Sequence, residues 1–303
     1  MTVSTVGPAG GSRWDPLWRA LTRNRRAIRD ALILIGVIRA VWYFAVQGIH
    51  PWTFVGIDAR AYWGVDLAHP YAASGVGELS TYLYSPAFAQ VLSPLYVLPF
   101  EAFYVLWTVA SIAVLIWLVR PWPWALLVLI LPVSYELFVG QVHLFIAAAI
   151  VVGFRWPAAW AFPILTKVTP GVGVVWFLAR REWRSFAMAL AATAAIAAVS
   201  FVLAPTAWWD WVTFLTSSTG RGELLIPRVL AGLLIVVAGA LTNRPWTLAV
   251  AVLLAMPVVW IESYVILLAT IRLARMPRDG TAREDPAAGR MTIGSAIASP
   301  SDR

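Results

Sequence analysis

The sequence predicts an all-α, polytopic membrane protein, and three observations predict it. Of 303 residues, 60% are hydrophobic and only 13% charged, against roughly 45–50% and about 25% in an ordinary soluble domain. The apolar residues gather in long runs bounded by Pro, Gly or Arg. The net charge of +8 sits in short clusters at the ends of those runs, where retained cytoplasmic loops collect Arg and Lys. At about 20 residues per crossing of a ~30 Å hydrocarbon layer, the chain has room for about 8–10 transmembrane helices, broken or half helices included. The basic balance therefore reports orientation, and no nucleic acid is expected as a partner. The chain has no cysteine, and its histidines are His50, His69 and His143. Thiol chemistry and a disulfide framework are excluded, and no metal or other cofactor is expected.

Residues 1–30 carry six arginines. Trp14, Leu17, Trp18 and Leu21 recur at helical spacing opposite Arg19, Arg23 and Arg26, the pattern of a cytoplasmic amphipathic helix on an anionic membrane surface. Nothing in this stretch resembles a cleaved signal peptide. The membrane domain is expected over 31–272, beginning with a span at 31–47. An exterior loop covers 48–101, where Arg60 stands against Asp58, Asp66 and Glu78. Later apolar runs cover about 86–98, 102–119, 122–138, 141–154, 157–180, 186–204, 228–243 and 246–272. One assignment puts Arg120, Arg155, the cluster Arg180-Arg181-Glu182-Trp183-Arg184, Arg244, Arg272, Arg275 and Arg278 all inside. In it, 86–98 lies against the outer surface, 157–180 breaks at 167–170 into half-helices that enter and return, and 246–272 breaks near Pro257. If 86–98 and 157–180 each cross once, Arg120 and Arg155 move outside. Broken helices are tolerated where the irregular backbone is buried in protein or lines a wet cavity. Residues 273–303 are rich in Pro, Gly, Ser, Arg and Asp and read as a disordered cytoplasmic tail.

Charged groups within a membrane cost several kcal/mol unless they meet a partner or water, so each is a candidate site. Asp58, in Val55-Gly56-Ile57-Asp58-Ala59-Arg60-Ala61-Tyr62-Trp63, reads either as the cap of a helix beginning near Ala59 or as a reactive carboxylate. Lys167 is the sole lysine, set between Pro163 and Pro170 beside Thr166 and Thr169. It reads either as a lysine snorkelling to a headgroup or as an anion site at a deliberate helix break. Gln141 and His143, in Gly140-Gln141-Val142-His143, read alone as interhelical hydrogen bonders. Trp260-Ile261-Glu262-Ser263-Tyr264 reads alone as an exterior turn in an aromatic belt. Arg39, in the first span, can pair with Glu101 or Glu136. The other tryptophans, Trp208, Trp209 and Trp211 among them, fit interface anchors.

Taken in order, these pieces resemble the GT-C membrane glycosyltransferases of glycosyltransferase family eighty-seven. The pieces are the early loop with Asp58, Tyr82-Leu83-Tyr84-Ser85-Pro86, Gly140-Gln141-Val142-His143, Lys167-Val168-Thr169-Pro170 leading to Arg180-Arg181-Glu182-Trp183-Arg184, and Pro257 with Trp260 and Tyr264. The family's best-known members are mannosyltransferases using polyprenyl-phosphate-mannose. The resemblance implies a GT-C-like fold over about 31–272 and a multi-pass plasma-membrane enzyme with both termini cytoplasmic and an extracytoplasmic active site. It also implies a lipid-linked sugar donor as co-substrate and a lipid or glycan acceptor. Asp58 matches the family's catalytic base. Departures are His143, where the family commonly has Asn, and Glu262-Ser263, where it has a His nearby. Asp58 would take the acceptor hydroxyl's proton. Lys167, with Gln141, His143 or Arg221, would neutralise the departing phosphate, and a single attack would invert the anomeric carbon. Arg60, Tyr62, Tyr84, Trp260, Glu262 and Tyr264 are expected to line the substrate. A polyprenyl-phosphate-arabinose-dependent arabinofuranosyltransferase is the nearest alternative, and a transporter or flippase the rival from another class.

Overall fold

The computed structural model describes residues 24–46, 55–71, 81–216 and 224–276, and among these every regular element is helical. The amphipathic segment 14–23, Arg221, Glu78 and the tail from 277 lie outside the described residues. Helix α1 (Arg25–Val46) begins before the expected span. The helix-forming Arg-rich stretch continues into the apolar run, because no Gly or Pro separates them and Asp30, the one capping residue between, lies inside the helix.

The short α2 (Ile57–Tyr62) follows in the exterior-loop segment. Next comes α3 (Pro86–Leu92), continued by a 3-10 stretch, Ser93–Val97, that starts at Pro94's neighbour. In this element Pro86, Ala87, Phe88, Ala89 and Leu92 are buried, and it packs against the later long helix Trp183–Leu203. Helix α4 (Phe100–Val119) shows why its sequence is apolar all round. Phe103, Trp107, Ser111, Leu115 and Leu118 form a buried stripe, while Val105, Leu106, Val109, Ile112 and Ile116 are exposed. An apolar back face of this kind needs lipid rather than water.

The run 122–138 divides into α5 (Ala125–Val128) and α6 (Ile130–Val139). Pro132 explains the division, since its ring clashes with the carbonyl four residues earlier and it has no N–H to donate. Helix α7 (His143–Val152) is buried along nearly its whole length, packed against α4, the 3-10 segment Glu262–Leu268 and the C-terminal helix. The run 157–180 becomes a 3-10 turn (Pro157–Trp160), α8 (Ala161–Lys167), a second 3-10 stretch (Thr169–Val174) and α9 (Val175–Ala179). The break falls where Lys167 and Pro170 predict it. Helix α10 (Trp183–Leu203) buries only Ala189 and Ser200. Helix α11 (Pro205–Thr216) was not expected as an element, although Pro205 at its first position is a start signal. Helix α12 (Leu225–Leu241) pairs with α13 (Thr247–Ala255). The chain then unwinds around Pro257 and ends in Glu262–Leu268 and α14 (Ala269–Leu273).

Among the described residues α4 and α10 are long and apolar enough to cross a membrane singly, and α6 with α7, bent by 108°, counts as a third if the pair is one span. The run count predicts more crossings than this because Pro and Gly cut several of the other apolar runs into pieces shorter than a bilayer, while α1, unbroken over 22 residues, carries Arg25, Arg26, Arg29, Asp30 and Arg39.

Candidate active site

The site is built on the bend between α6 and α7. Gly140 ends α6 with φ +76°, a left-handed conformation that glycine adopts without a Cβ penalty. The N–H groups of Gly140 and Gln141 donate to the Glu136 carbonyl at 3.0 and 3.1 Å. The Glu136 side chain then crosses the bend. One carboxylate oxygen accepts the Leu144 N–H in the first turn of α7 at 2.9 Å, and the other lies 3.0 Å from His143 Nδ1. A carboxylate at a helix N-terminus satisfies an otherwise orphan donor and complements the helix dipole. Glu136 is therefore fully engaged with α7, and Arg39, which is exposed, has no ion pair with it or with Glu101 among the described residues.

On this bend sits α2. The Gly56 N–H donates to the Phe138 carbonyl at 2.8 Å, and Tyr104 shares its hydroxyl proton between the Leu137 and Phe138 carbonyls. A Cβ at position 140 would stand 2.7 Å from that of Ala59, so the approach of α2 requires glycine there. Gln141 supplies the connection inward. Its Oε1 accepts from Tyr62 at 2.8 Å, from Tyr84 at 3.1 Å and from its neighbour's backbone, Val142 N–H, at 3.0 Å. The two phenols are 3.1 Å apart. Burial pushes both of them up, so they remain neutral donors.

Asp58 lies in the first turn of α2, and the helix cap is Gly56 with no side-chain bond. The capping reading of Asp58 is therefore replaced by another. Its carboxyl faces the cluster, where burial pushes it up to about 6; Lys167 opposes this, Glu136 adds to it, and a side-chain hydrogen bond from Gln141 lowers it again. Lys167 is the last residue of α8. Val168 follows with φ +54°, a strained backbone for a β-branched residue, and such strain concentrates at functional sites. The Lys167 ammonium stands 5.2 Å from the Tyr84 ring centroid and makes no ion pair among the described residues. The Ser85 N–H to Leu165 carbonyl bond, 3.3 Å, ties the two segments together. Glu262, buried at the start of its 3-10 segment, lies within the fields of Glu136, Asp58 and Lys167.

Asp58 and Lys167, both half-buried, thus share one neighbourhood with the buried Gln141, His143, Tyr62, Tyr84 and Glu262. Arg60, Trp260 and Tyr264 do not join it. Arg60 is exposed and covers the Phe100 ring at 3.8 Å, while Trp260 and Tyr264 present exposed rings. A groove of about 590 Å³ lies elsewhere, between Leu67–His69, Gln90, Ser93 and Leu203–Thr206. Asp66 is spent on a local turn, accepting the Ala68 N–H at 2.9 Å beside His69. Sequence reasoning missed the part played by Glu136, although its position seven residues before His143, with Gly140 between, was the available signal. A carboxylate that can accept a proton, an unpaired ammonium nearby and neutral phenol donors between them suit proton abstraction beside a leaving anion.

The family model described as Glycosyltransferase family 87 matches residues 82–300, a stretch that begins after Asp58 and Tyr62 and includes Tyr84, Gln141, His143, Lys167 and Glu262. No curated protein and no solved structure matches the chain.

Proposed function

We propose, since the chain belongs to glycosyltransferase family 87 and is a membrane glycosyltransferase, that it moves a sugar from a polyprenyl-phosphate donor to a hydroxyl of a lipid or glycan acceptor. The donor sugar is mannose, and the reaction takes place at the extracytoplasmic face of the plasma membrane with inversion. The observation that supports this reading is the meeting of Asp58 and Lys167 in one electrostatic neighbourhood although they are far apart in sequence.

Asp58 accepts the hydroxyl proton as the acceptor oxygen attacks the anomeric carbon, and the bond from that carbon to the phosphate oxygen breaks. The phosphate leaves with the electron pair, and Lys167 balances its charge where little water screens the interaction. Gln141, pinned by Tyr62 and Tyr84, keeps the Asp58 carboxylate in position through its amide. The leaving group is neutralised by side-chain cations, without a metal. Membranes containing the protein, given radiolabelled polyprenyl-phosphate-mannose and -arabinose in separate reactions, test the reading. Mannose transfer that is lost in Asp58→Asn supports it. Arabinose transfer alone changes the donor sugar, and no transfer of either label overturns it.

A further inference from the structure

We propose that the Glu136–His143 pair couples donor binding to proton uptake: when the lipid phosphate enters beside Lys167, His143 takes a proton from solvent and becomes the second positive charge of the phosphate site. This inference rests on the donor assigned above. It begins with the geometry of a fully buried imidazole. Nδ1 of His143 lies 3.0 Å from a Glu136 carboxylate oxygen, both side chains being inaccessible to solvent. Nε2 of the same ring has no hydrogen-bond partner among the described residues. Buried polar atoms are seldom left unpaired without a functional reason. In the tautomer whose Nδ1–H donates to Glu136, Nε2 is the atom that can still receive a proton.

The charges around the ring decide when it does so. Burial of the ring opposes a charge on it first of all, and Lys167, from α8, opposes it further as a like charge. Glu136, from α6, is the acid that faces the ring, 3.0 Å from Nδ1, and a charge on the ring favours its ionised form. Glu262, on the 3-10 segment packed against α7, and Asp58 share the field of Lys167. Among the described residues the remaining helices packed on α7 add no buried charge beside the ring, Glu101 of α4 being exposed. Tyr104 of α4 is bound to α6 carbonyls, Arg272 of α14 donates to the Trp117 carbonyl, and α13 carries no ionisable side chain. An arriving phosphodiester anion offsets the Lys167 charge, and the imidazolium then has an anion on each side. Binding and protonation favour each other by linkage.

Isothermal titration of the purified full chain in detergent tests this, with farnesyl methyl phosphate as probe, a singly charged prenyl phosphodiester that does not itself titrate near neutrality. Measurements in buffers of different ionisation enthalpy count the protons. The wild-type protein should take up about one proton per probe bound, with affinity weakening up to about tenfold per pH unit on the alkaline side. His143→Asn keeps a donor for Glu136 but cannot hold the charge; it should bind with no uptake and with a flattened pH dependence. Asp58→Asn should retain the uptake, and Glu136→Gln should diminish it. Wild-type binding without proton uptake, or uptake that survives in His143→Asn, overturns the inference while leaving the donor assignment standing. Absence of probe binding overturns the donor assignment, and the inference with it.

Discussion

In the proposed mechanism Asp58 serves as a base only while it is a carboxylate, and burial pushes its carboxyl up to about 6. Above that value the group is ionised and competent; below it the proton is already in place. The transfer rate at saturating substrate should therefore rise with pH through about 6 and then level off, as a pH–rate profile will show. Asp58→Asn removes the base but keeps the shape, and should lower the rate about 10²–10⁴-fold with the folded protein retained in size-exclusion chromatography. Lys167→Gln removes the cation facing the leaving phosphate and should cost on the order of 10²-fold in kcat. An unchanged rate in either variant would remove that residue from the mechanism. Neither role is visible from residue type alone, since one loop aspartate and one lysine have commonplace explanations.

The bend between α6 and α7 determines where Asp58 stands. Glycine 140 permits both the left-handed turn and the close approach of α2. Gly140→Ala should therefore cost about 1–3 kcal/mol of stability, read as a lowered thermal unfolding midpoint, and should depress transfer further by moving α2 away from Gln141. The break after Lys167 was legible because prolines flank it. The division at Pro132 and the helix α11 were also marked by proline, but an apolar run conceals such divisions when it is read by hydropathy alone. The bridging carboxylate of Glu136 was not legible as such: its partners, Leu144 N–H and His143, become neighbours only after the chain turns through 108°.

At the scale of the whole molecule, α4 and α10 carry apolar residues on faces that none of the described elements covers, as a bilayer requires. The proposed orientation has a direct test, because the chain is free of cysteine. Single cysteines at the exposed positions Arg60 and Arg244 should differ in labelling by an impermeant maleimide on intact cells: position 60 reacts, position 244 does not. The reverse pattern, or labelling of both, would move the site away from the outer face.

Composition and the placement of prolines by themselves determined that the chain is helical, apolar and interrupted at 167–170, because burial in lipid and the missing proline N–H act locally and leave their mark in residue type. Which polar groups meet was decided only by the tertiary structure. Asp58, Gln141, Lys167 and Glu262 come from four separate segments, and their electrostatic fields overlap only once α2 has docked on the bend and the Glu262–Leu268 segment has packed against α7. Arg60 and Tyr264 stand close to those groups in sequence yet turn away in space, because a helix sends neighbouring side chains to different faces, and Trp260 lies in the unwound stretch before the Glu262–Leu268 segment.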